Sequence, residues 1–412
     1  MDESLRVDGN RLWDSLMAMA QIGATARGGV CRLALSDEDR IARELFLEWS
    51  RMAGCEVHFD EIGNLFARYG GRNPTRAPIV IGSHLDSQPT GGKFDGVYGV
   101  LAGLEVIRTL SDSGRLTEAP IEVAVWTNEE GARFSPALLG SAVFAGQLVL
   151  SSALDCRDCN GIRLGDELAR IDFAGRREAS YAAHPVGAHL ELHIEQGPVL
   201  EAHGSRIGVV TGVQGIRWYD CCVRGEETHA GPTPMSMRRD PVPSTLAIAQ
   251  RAYAIAQARA PEARATIGTM AFRPGSRNTV PSESRFTIDF RHPDALKLAA
   301  MDRELRDFGA SLDIARTPIE MIEVFLSPPM HFDPRCVGAV WSAATSLGLA
   351  AEEIVSGAGH DSANLARIAP TAMIFIPCQG GVSHNELEAA TPDDVVAGAN
   401  VLLRAALALA DG

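Results

Sequence analysis

The sequence contains no long hydrophobic run. Hydrophobic residues make up 46% of its 412 residues, yet no uninterrupted apolar stretch approaches the ~20 residues that a membrane-spanning helix needs. The best candidate, near residues 400–410, is interrupted by Arg404 and predicts an amphipathic terminal helix. We therefore expect no membrane partner.

Positive charge is also scarce. The chain has 38 lysines and arginines against 52 aspartates and glutamates, a formal net charge of −14. This balance argues against a nucleic-acid partner, because such a surface needs a basic patch that displaces counterions. The N-terminal segment MDESLRVDGNRLWDSL carries acidic residues early and no apolar core. We therefore expect no secretory signal and a cytoplasmic location.

Cysteine is sparse, with eight residues in the whole chain. Without an export signal, reduced thiols are expected rather than a disulfide framework. Cys156 and Cys159 form a C-x-x-C pair, but no second pair has the spacing of a zinc ribbon. We interpret the pair as incidental. The sequence also lacks internal repeats and low-complexity tracts.

The length of the chain predicts two domains, because single cores stop growing beyond about 250–300 residues. In the first domain, four short apolar runs lead directly into unusual polar residues; the runs are 79–82, 121–126, 190–194 and 372–376. Such runs fit strands buried on both faces of a mostly parallel, helix-covered sheet. Helices are predicted at 37–54, with Ser36 as N-cap and Gly54 as stop, and at 99–110. Because ligand sites of these α/β folds lie beyond the carboxyl ends of the strands, we expect the four polar clusters to converge.

Around Thr211 the pattern changes. The predicted elements are a strand at 215–223, a helix at 243–258, strands near 265–271 and 284–291, and a helix near 295–308. This β-α-β-β-α order indicates a small α+β sandwich inserted into the larger domain. We therefore expect one domain of residues 1–211 and 330–412, and an inserted domain of residues 212–329.

Two of the polar clusters are rich in carboxylates. In GSHLDSQPTGGKFDG, His84 and Asp86 lie at a predicted strand end and Asp95 follows in a glycine-rich loop. Histidine and aspartate are zinc-type ligands, and Asp86 could accept the second ring N–H of His84. In TNEEGARF, Glu129 and Glu130 follow a buried strand, where carboxylates are costly without partners. The alternatives are a surface loop with a capping aspartate and a solvated helix N-terminus.

The other two clusters add histidines. His193 and Gln196 lie in HIEQGP, and His384 lies in GGVSHNE. A lone histidine is more often a satisfied structural residue than a ligand, so the argument rests on the conjunction. Three histidines, an aspartate and a glutamate at strand ends match the ligands of a two-metal hydrolase.

The inserted domain carries three further candidates, His229, Asn278 and Arg291. Histidine and asparagine can donate hydrogen bonds to a developing oxyanion. Arginine can hold a substrate carboxylate through two hydrogen bonds, although Arg291 taken alone also fits a surface ion pair.

Over nearly the whole chain these motifs resemble the M20 metallopeptidase/amidohydrolase family, specifically its hydantoinase/carbamoylase-type amidase branch. The matching motifs are GSHLDS, GGKFDG, TNEEGARF, HIEQGP, THAGPTPM and GVSHNE. The resemblance implies an α/β catalytic domain with two divalent metal ions and an inserted, ferredoxin-like lid and dimerisation domain. Pro232 and Ser362 depart from the usual threonine and alanine. Neither is a ligand, so they affect substrate choice more than metal binding.

The resemblance also implies a role for each candidate residue. One metal would be held by His84, Asp95 and His193, and the other by Asp95, Glu130 and His384, with Asp95 bridging. Glu129 would be the general acid/base, and Asp86 would support the ligands from behind. Substrate-binding roles would fall to Gln196, His229, Asn278, Arg291 and His360. His229 would serve the active site of the partner subunit in a homodimer.

His193 bears on the choice of substrate. Peptidase members resemble each other in using a carboxylate at this position, whereas carbamoylases, ureidopropionases and allantoate amidohydrolases use histidine. We therefore expect hydrolysis of a linear, non-peptide C–N bond in a small carboxylate-bearing substrate. N-carbamoyl-L-amino acids are the leading candidates, and allantoate or another ureido acid is the close alternative; a metallopeptidase and a non-catalytic relative are further ones. The ligand set favours Zn²⁺ but also suits Mn²⁺, Ni²⁺ or Co²⁺.

Overall fold

The computed structural model describes residues 5–312, 314 and 316–412, and the chain divides into two compact units. The first unit comprises Met1–Gly212 and His331–Gly412, and the second comprises Val213–Met330. Each observed boundary lies one residue after the expected one.

The described residues form sixteen strands and twelve α-helices. The strands are β1 Glu56–Phe59, β2 Leu65–Tyr69, β3 Ile79–His84, β4 Ile121–Trp126, β5 Ala188–Ile194, β6 Ile207–Val213, β7 Gly215–Arg224, β8 Thr228–His229, β9 Arg264–Thr266, β10 Met270–Arg273, β11 Thr279–Val280, β12 Glu283–His292, β13 Ile319–Ser327, β14 Met330–His331, β15 Ala351–Ser356 and β16 Thr371–Ile376. The helices are α1 Gly9–Met19, α2 Asp37–Met52, α3 Val97–Asp112, α4 Leu139–Phe144, α5 Leu150–Leu154, α6 Leu164–Arg170, α7 Val199–His203, α8 Pro241–Gln257, α9 Ala295–Ser311, α10 Pro334–Ser346, α11 Asp361–Leu365 and α12 Pro392–Asp411.

A mixed sheet with a parallel centre organises the first unit. Its order is β1-β2-β4-β3-β5-β16-β6-β14, and β15 pairs with β6. The four central strands, β4, β3, β5 and β16, run parallel, as expected. The flanking strands β2 and β6 are antiparallel to their inner neighbours, and β1 is antiparallel to β2. The loop 60–64 between β1 and β2 explains part of this difference, because parallel strands need a connection of a dozen or more residues.

The predicted central strands form where the apolar runs lie. Every residue of β3, β4, β5 and β16 is buried, as is typical of strands covered by helices on both faces. Helix α2 begins as predicted, with the Asp39 N–H donating to the Ser36 side chain at 3.2 Å, and Gly54 follows its end with φ +85°. The expected terminal helix is α12, which starts earlier than predicted, at Pro392.

No helix within residues 5–312, 314 and 316–412 combines the length and the apolarity required to cross a bilayer.

An antiparallel sheet covered by α8 and α9 forms the second unit. Its order is β10-β12-β7-β13, and β9 also pairs with β12. The predicted single strand near 265–271 is wrong, because β9 and β10 pair with different parts of β12. Between them the chain leaves the ladder at 267–269, where the Thr269 N–H donates to the Thr287 side chain at 3.1 Å. The sequence also did not predict strand β13, which completes the β-α-β-β-α-β order.

Candidate metal centre

The four parallel strands bring the polar clusters to one edge of the sheet. His84 is the last residue of β3, and His193 lies near the end of β5. Glu129 and Glu130 follow β4, and His384 lies in the loop after β16. Because these strands are neighbours and parallel, their carboxyl ends meet, as the sequence predicted.

The first candidate ligand group joins His84, Asp95 and His193, whose ligand atoms all lie within 4.8 Å of one another. Asp95 Oδ1 is 3.1 Å from His193 Nε2 and 3.5 Å from His84 Nε2. The opposite ring nitrogens face backbone carbonyls, at 2.9 Å for His84 Nδ1 with Asp86 and at 2.8 Å for His193 Nδ1 with Ile194. A carbonyl only accepts, so each Nδ1 carries a proton, and Nε2, which faces Asp95, is the ring atom that an ion would bind.

The second group joins Asp95, Glu130 and His384, again with ligand atoms within 4.8 Å. His384 Nε2 is 3.3 Å from Glu130 Oε2 and 3.5 Å from Asp95 Oδ2. Gln88 donates to Glu130 Oε2 at 2.8 Å, which fixes that carboxylate. The two groups therefore share Asp95, with one of its oxygens facing each group.

Buried carboxylates give this edge an acidic character. Burial would raise the pKa of Asp95, but hydrogen bonds to His193 and His84 outweigh it and hold the pKa well below its usual value. Burial raises the pKa of Glu129 well above its usual value and that of Glu130 to about 7. Imidazole and carboxylate donors on several buried side chains suit divalent cations, which would also offset this crowding of acids.

The predicted hydrogen bond from the His84 ring to the Asp86 carboxylate is wrong. The Asp86 carboxylate lies 3.9 Å from His84 Nδ1, and the backbone carbonyl of Asp86 takes the contact with the ring instead. The carboxylate accepts the backbone N–H groups of Glu129 and Glu130, each at 3.2 Å. Two N–H donors satisfy a buried carboxylate better than one ring nitrogen, so Asp86 orients the TNEEGARF turn rather than the histidine.

Glu388 is a residue that the sequence did not reveal. Its Oε1 accepts the backbone N–H groups of Phe94 and Asp95, both at 3.0 Å, and its Oε2 accepts the Ser383 hydroxyl at 3.1 Å. Ser383 also lies 3.1 Å from Asp95 Oδ2. Glu388 therefore ties the loop that carries Asp95 to the loop that carries His384. The only sequence signal was a second glutamate in GVSHNELE.

The backbone at Gly96 lies so close to the His84 ring that this position of the loop requires glycine. Gly96 has φ +67°, and a Cβ there would lie 2.4 Å from the His84 ring. Any larger residue would push His84 away from Asp95.

Gln196 and His360 also lie at this edge. Gln196 donates to Asp95 Oδ2 at 2.8 Å, so it contacts a candidate ligand directly. The His360 ring packs edge-on against His193, with 4.6 Å between centroids, and its buried Nε2 has no partner among the described residues. Burial, followed by the charge of His193, lowers the pKa of His360 well below its usual value, so the ring is neutral.

His229, Asn278 and Arg291 all belong to the second unit. His229 pairs with Thr279 where β8 meets β11, and the Ala230 N–H donates to the Asn278 carbonyl at 2.9 Å. His229 and Asn278 are therefore neighbours. Arg291 lies on β12 and makes a two-point ion pair with Asp289, at 3.1 Å from Nε to Oδ1 and 2.8 Å from Nη2 to Oδ2.

The C-x-x-C pair takes no part in either ligand group. Cys159 is exposed, and the cysteines of the described chain are free thiols.

Comparison with known proteins places the chain in a family. The model of the peptidase family M20/M25/M40 matches residues 80–408. The chain belongs to this family. The family is metal-dependent, and the two groups that share Asp95 are candidate ligand sets.

Similar proteins cover the chain almost completely. A Rhizobium meliloti protein named N-carbamoyl-L-amino-acid amidohydrolase is 45% identical over 99% of this chain and 98% of its own. A Bacillus subtilis (strain 168) allantoate amidohydrolase is 33% identical over 92% of each chain. The crystal structure of a hydantoinase/carbamoylase family amidase from Burkholderia multivorans has a TM-score of 0.96, at 52% identity and 99% coverage of both chains.

Proposed function

We propose that this M20 family member is a two-metal hydrolase of linear, non-peptide C–N bonds, with N-carbamoyl-L-amino acids as substrates. The observation that carries the proposal is the pair of ligand groups sharing Asp95, with Glu129 Oε2 beside them at 3.4 Å from His84 Nε2. The Rhizobium meliloti relative is the main support for the substrate.

Five side chains would hold the ions: His84, Asp95 and His193 on one side, and Asp95, Glu130 and His384 on the other. Bound divalent ions would supply Lewis acidity and lower the pKa of water, with Zn²⁺ favoured and Mn²⁺, Ni²⁺ or Co²⁺ also suited to these donors. Gln196 donates to Asp95 Oδ2, and the Ser383 hydroxyl lies 3.1 Å from the same oxygen, so both help to fix Asp95 between the two groups.

Glu129 has the properties of the general base. Its backbone is held by Asp86, and burial keeps the pKa of its side chain well above the usual value. In its ionised form such a group is a stronger base than an ordinary carboxylate, so it can take the proton of the attacking water and return it to the leaving nitrogen. With a carbamoyl substrate, attack of water at the carbamoyl carbon releases an amino acid, ammonia and carbon dioxide.

Residues of the second unit would complete substrate binding. His229 and Asn278 would donate to the developing oxyanion, and Arg291 would hold the substrate carboxylate through its planar fork. Arg291 already binds a carboxylate in this way, that of Asp289, so substrate binding would exchange one acid for another. His360, with its unpaired Nε2, would offer a further polar contact.

We further propose that the second unit is a lid and dimerisation domain. Strand β13 is the last strand of its sheet, and Ile322, Val324 and Leu326 along it are 51%, 52% and 45% exposed. An uncovered edge strand with apolar side chains is a template for pairing with a second chain. A symmetric pairing of this kind would give a homodimer, in which His229 acts in the partner's site.

Allantoate hydrolysis is the second candidate function, supported by the Bacillus subtilis relative. Both substrates carry a ureido group and a carboxylate, so the proposed roles of Glu129 and Arg291 would be unchanged.

A substrate panel tests the function. Purified protein would be assayed for bound metal, for ammonia release from N-carbamoyl-L-amino acids, their D-enantiomers and allantoate, and for free amino acids released from a dipeptide. We expect metal-dependent turnover of the N-carbamoyl-L-amino acids. Faster turnover of allantoate would select the second candidate, and turnover of the dipeptide alone would overturn the amidase assignment.

The adjacent residues Glu129 and Glu130 allow a matched test of their proposed roles in proton transfer and metal binding. Glu129→Gln should keep its metal but lose activity by about 10²-fold or more, because it removes the proton carrier. Glu130→Gln should instead lose metal affinity, because it removes a ligand. Activity would be followed by ammonia release and metal by elemental analysis. Near-normal turnover by Glu129→Gln would exclude its role as base.

A further inference from the structure

A polar cavity lies in the first unit, at the end of the sheet opposite the candidate metal centre. It has a volume of about 370 Å³, and its walls include residues 77 and 78 just before β3 and residues 183–185 before β5. His84 and His193 lie near the opposite ends of these two strands. The cavity is thus at the amino ends of the parallel strands, and the metal centre is at their carboxyl ends.

Three arginines line this cavity: Arg68, Arg76 and Arg177. Arg68 donates to the Pro74 carbonyl at 3.0 Å and lies 3.9 Å from Glu122. Within the described part of the chain, neither Arg76 nor Arg177 has an acidic group within 4.0 Å. Arg76 and Arg177 are both exposed, so their guanidinium groups are accessible to a ligand from solvent.

The acids near the cavity do not neutralise these two arginines. Glu122 is fully buried and engaged by the His184 ring, 2.5 Å from its Nε2, as well as by Arg68. Glu56 lines the cavity but forms no ion pair with Arg76 or Arg177. The positive charge of the cavity therefore remains available to a ligand.

The pKa of His58 is affected by the same positive charges. Its ring lies in the cavity wall, stacked 5.0 Å from Phe66 and 5.3 Å from His184 between centroids. Burial, followed by the positive charges of Arg177, His184 and Arg68, lowers the pKa of His58 to about 3. An anion in the cavity would relieve this repulsion.

We propose that this cavity binds the dianionic phosphate group of a small molecule, at a site separate from the metal centre. Two unpaired guanidinium groups match two negative charges, and each can donate two parallel hydrogen bonds to phosphate oxygens. The volume is within the range of small-molecule sites. The proposal does not depend on the proposed function, because none of these residues belongs to the metal centre.

Two neighbouring arginines provide the test. Inorganic phosphate would be titrated into the metal-loaded protein at constant ionic strength, with chloride as the reference, while the melting temperature is followed. Phosphate should raise the melting temperature saturably, because it binds the folded state. Arg177→Gln should weaken the apparent affinity roughly tenfold or more, whereas Arg176→Gln should not, because Arg176 is equally exposed but does not line the cavity.

Comparing Arg177→Gln with Arg176→Gln also distinguishes phosphate bound in the cavity from phosphate bound at the metal centre. Phosphate bound to metal would be retained in both variants. Arg76→Gln should behave like Arg177→Gln, and both should retain unchanged turnover, which shows that they fold. Equal affinities for wild type and both cavity variants would overturn the site. Tighter binding of malonate than of phosphate would overturn the assignment to phosphate.

Discussion

Both carboxylate oxygens of Asp95 face imidazoles, and Oδ2 has further polar contacts that fix its position. Oδ1 faces His84 and His193, and Oδ2 faces His384 and accepts from Gln196. Ligand geometry of this kind depends on the groups behind the ligands as much as on the ligands themselves. For Asp95 that support comes from Glu388 through two backbone N–H groups.

Glu388→Gln should weaken metal binding by about tenfold, because the charge that holds the Asp95 loop is lost and the amide cannot accept from every donor around it. Metal affinity would be measured by competition with a chromogenic chelator, which separates this positioning role from catalysis. Glu386→Gln is the control, since Glu386 binds Thr25 at 2.6 Å and lies outside the two ligand groups. Equal losses in both variants would contradict the role of Glu388.

Single residues were predictable where their chemistry conflicts with their surroundings. Glu129 and Glu130 could be singled out because two carboxylates directly follow a buried strand. Glu388 and the true contact of Asp86 could not, because both are bonds to backbone N–H groups of residues distant in sequence. The type of a residue does not indicate which distant side chain its backbone N–H will bind.

At the scale of elements, the central strands were predictable and the edges were not. Strands β3 and β4 are apolar throughout and buried on both faces, so composition alone locates them. Strand β13 is an edge strand in which acidic and exposed apolar residues mix. Its sequence therefore resembles a connecting segment that leads back to the first unit. The break between β9 and β10 depends on pairing with β12, which local sequence does not encode.

The packing of helix α3 on the sheet gives a prediction at this scale. At Gly99, a Cβ would lie 2.4 Å from the Leu192 carbonyl oxygen and 2.9 Å from the Ser83 Cβ. Gly99→Ala should therefore destabilise the protein by about 1–3 kcal/mol, as overpacking does. Urea unfolding would measure the change.

Gly338, in helix α10, is the matched control, because nothing lies within 4 Å of a Cβ built there. Gly338→Ala should be neutral or stabilise by up to about 1 kcal/mol through helix propensity. If Gly99→Ala were equally harmless, α3 would pack less closely on β3 and β5 than the structure indicates.

For the whole molecule, a buried histidine predicts how stability responds to acid. Burial lowers the pKa of His189 to about 3, whereas in the unfolded chain it is about 6.5. Between these values only the unfolded state binds the proton. The contribution of His189 to the free energy of unfolding is therefore fully present above about pH 6.5. It is lost as the pH falls below this value, by roughly 1 kcal/mol per pH unit.

The pH profile would be measured as the free energy of unfolding in urea between about pH 7 and about pH 5. His189→Gln should lose less stability over this range than wild type. His203→Gln, which changes a histidine that is 57% exposed, should follow wild type. Parallel profiles for wild type and His189→Gln would show that another group controls the acid response.

The division of the chain into two units was predictable from the change of hydrophobic pattern near Thr211. Hydrophobic runs of the parallel sheet stop there, and alternating strands such as β7, with its buried pattern broken by exposed residues, begin. Periodicity does not encode whether two chains pair through the edge strand β13, so the homodimer remains a prediction.

That homodimer leads to a test of shared active sites. If His229 serves the partner's metal centre, Glu129→Gln and His229→Ala should each be inactive alone. In a mixed dimer, the intact Glu129 of one chain would meet the intact His229 of the other and restore one site of two. Equal mixing after dissociation should then recover up to about a quarter of wild-type ammonia release, because about half of the dimers are mixed. Mixed dimers verified by two affinity tags but still inactive would place His229 in the site of its own chain.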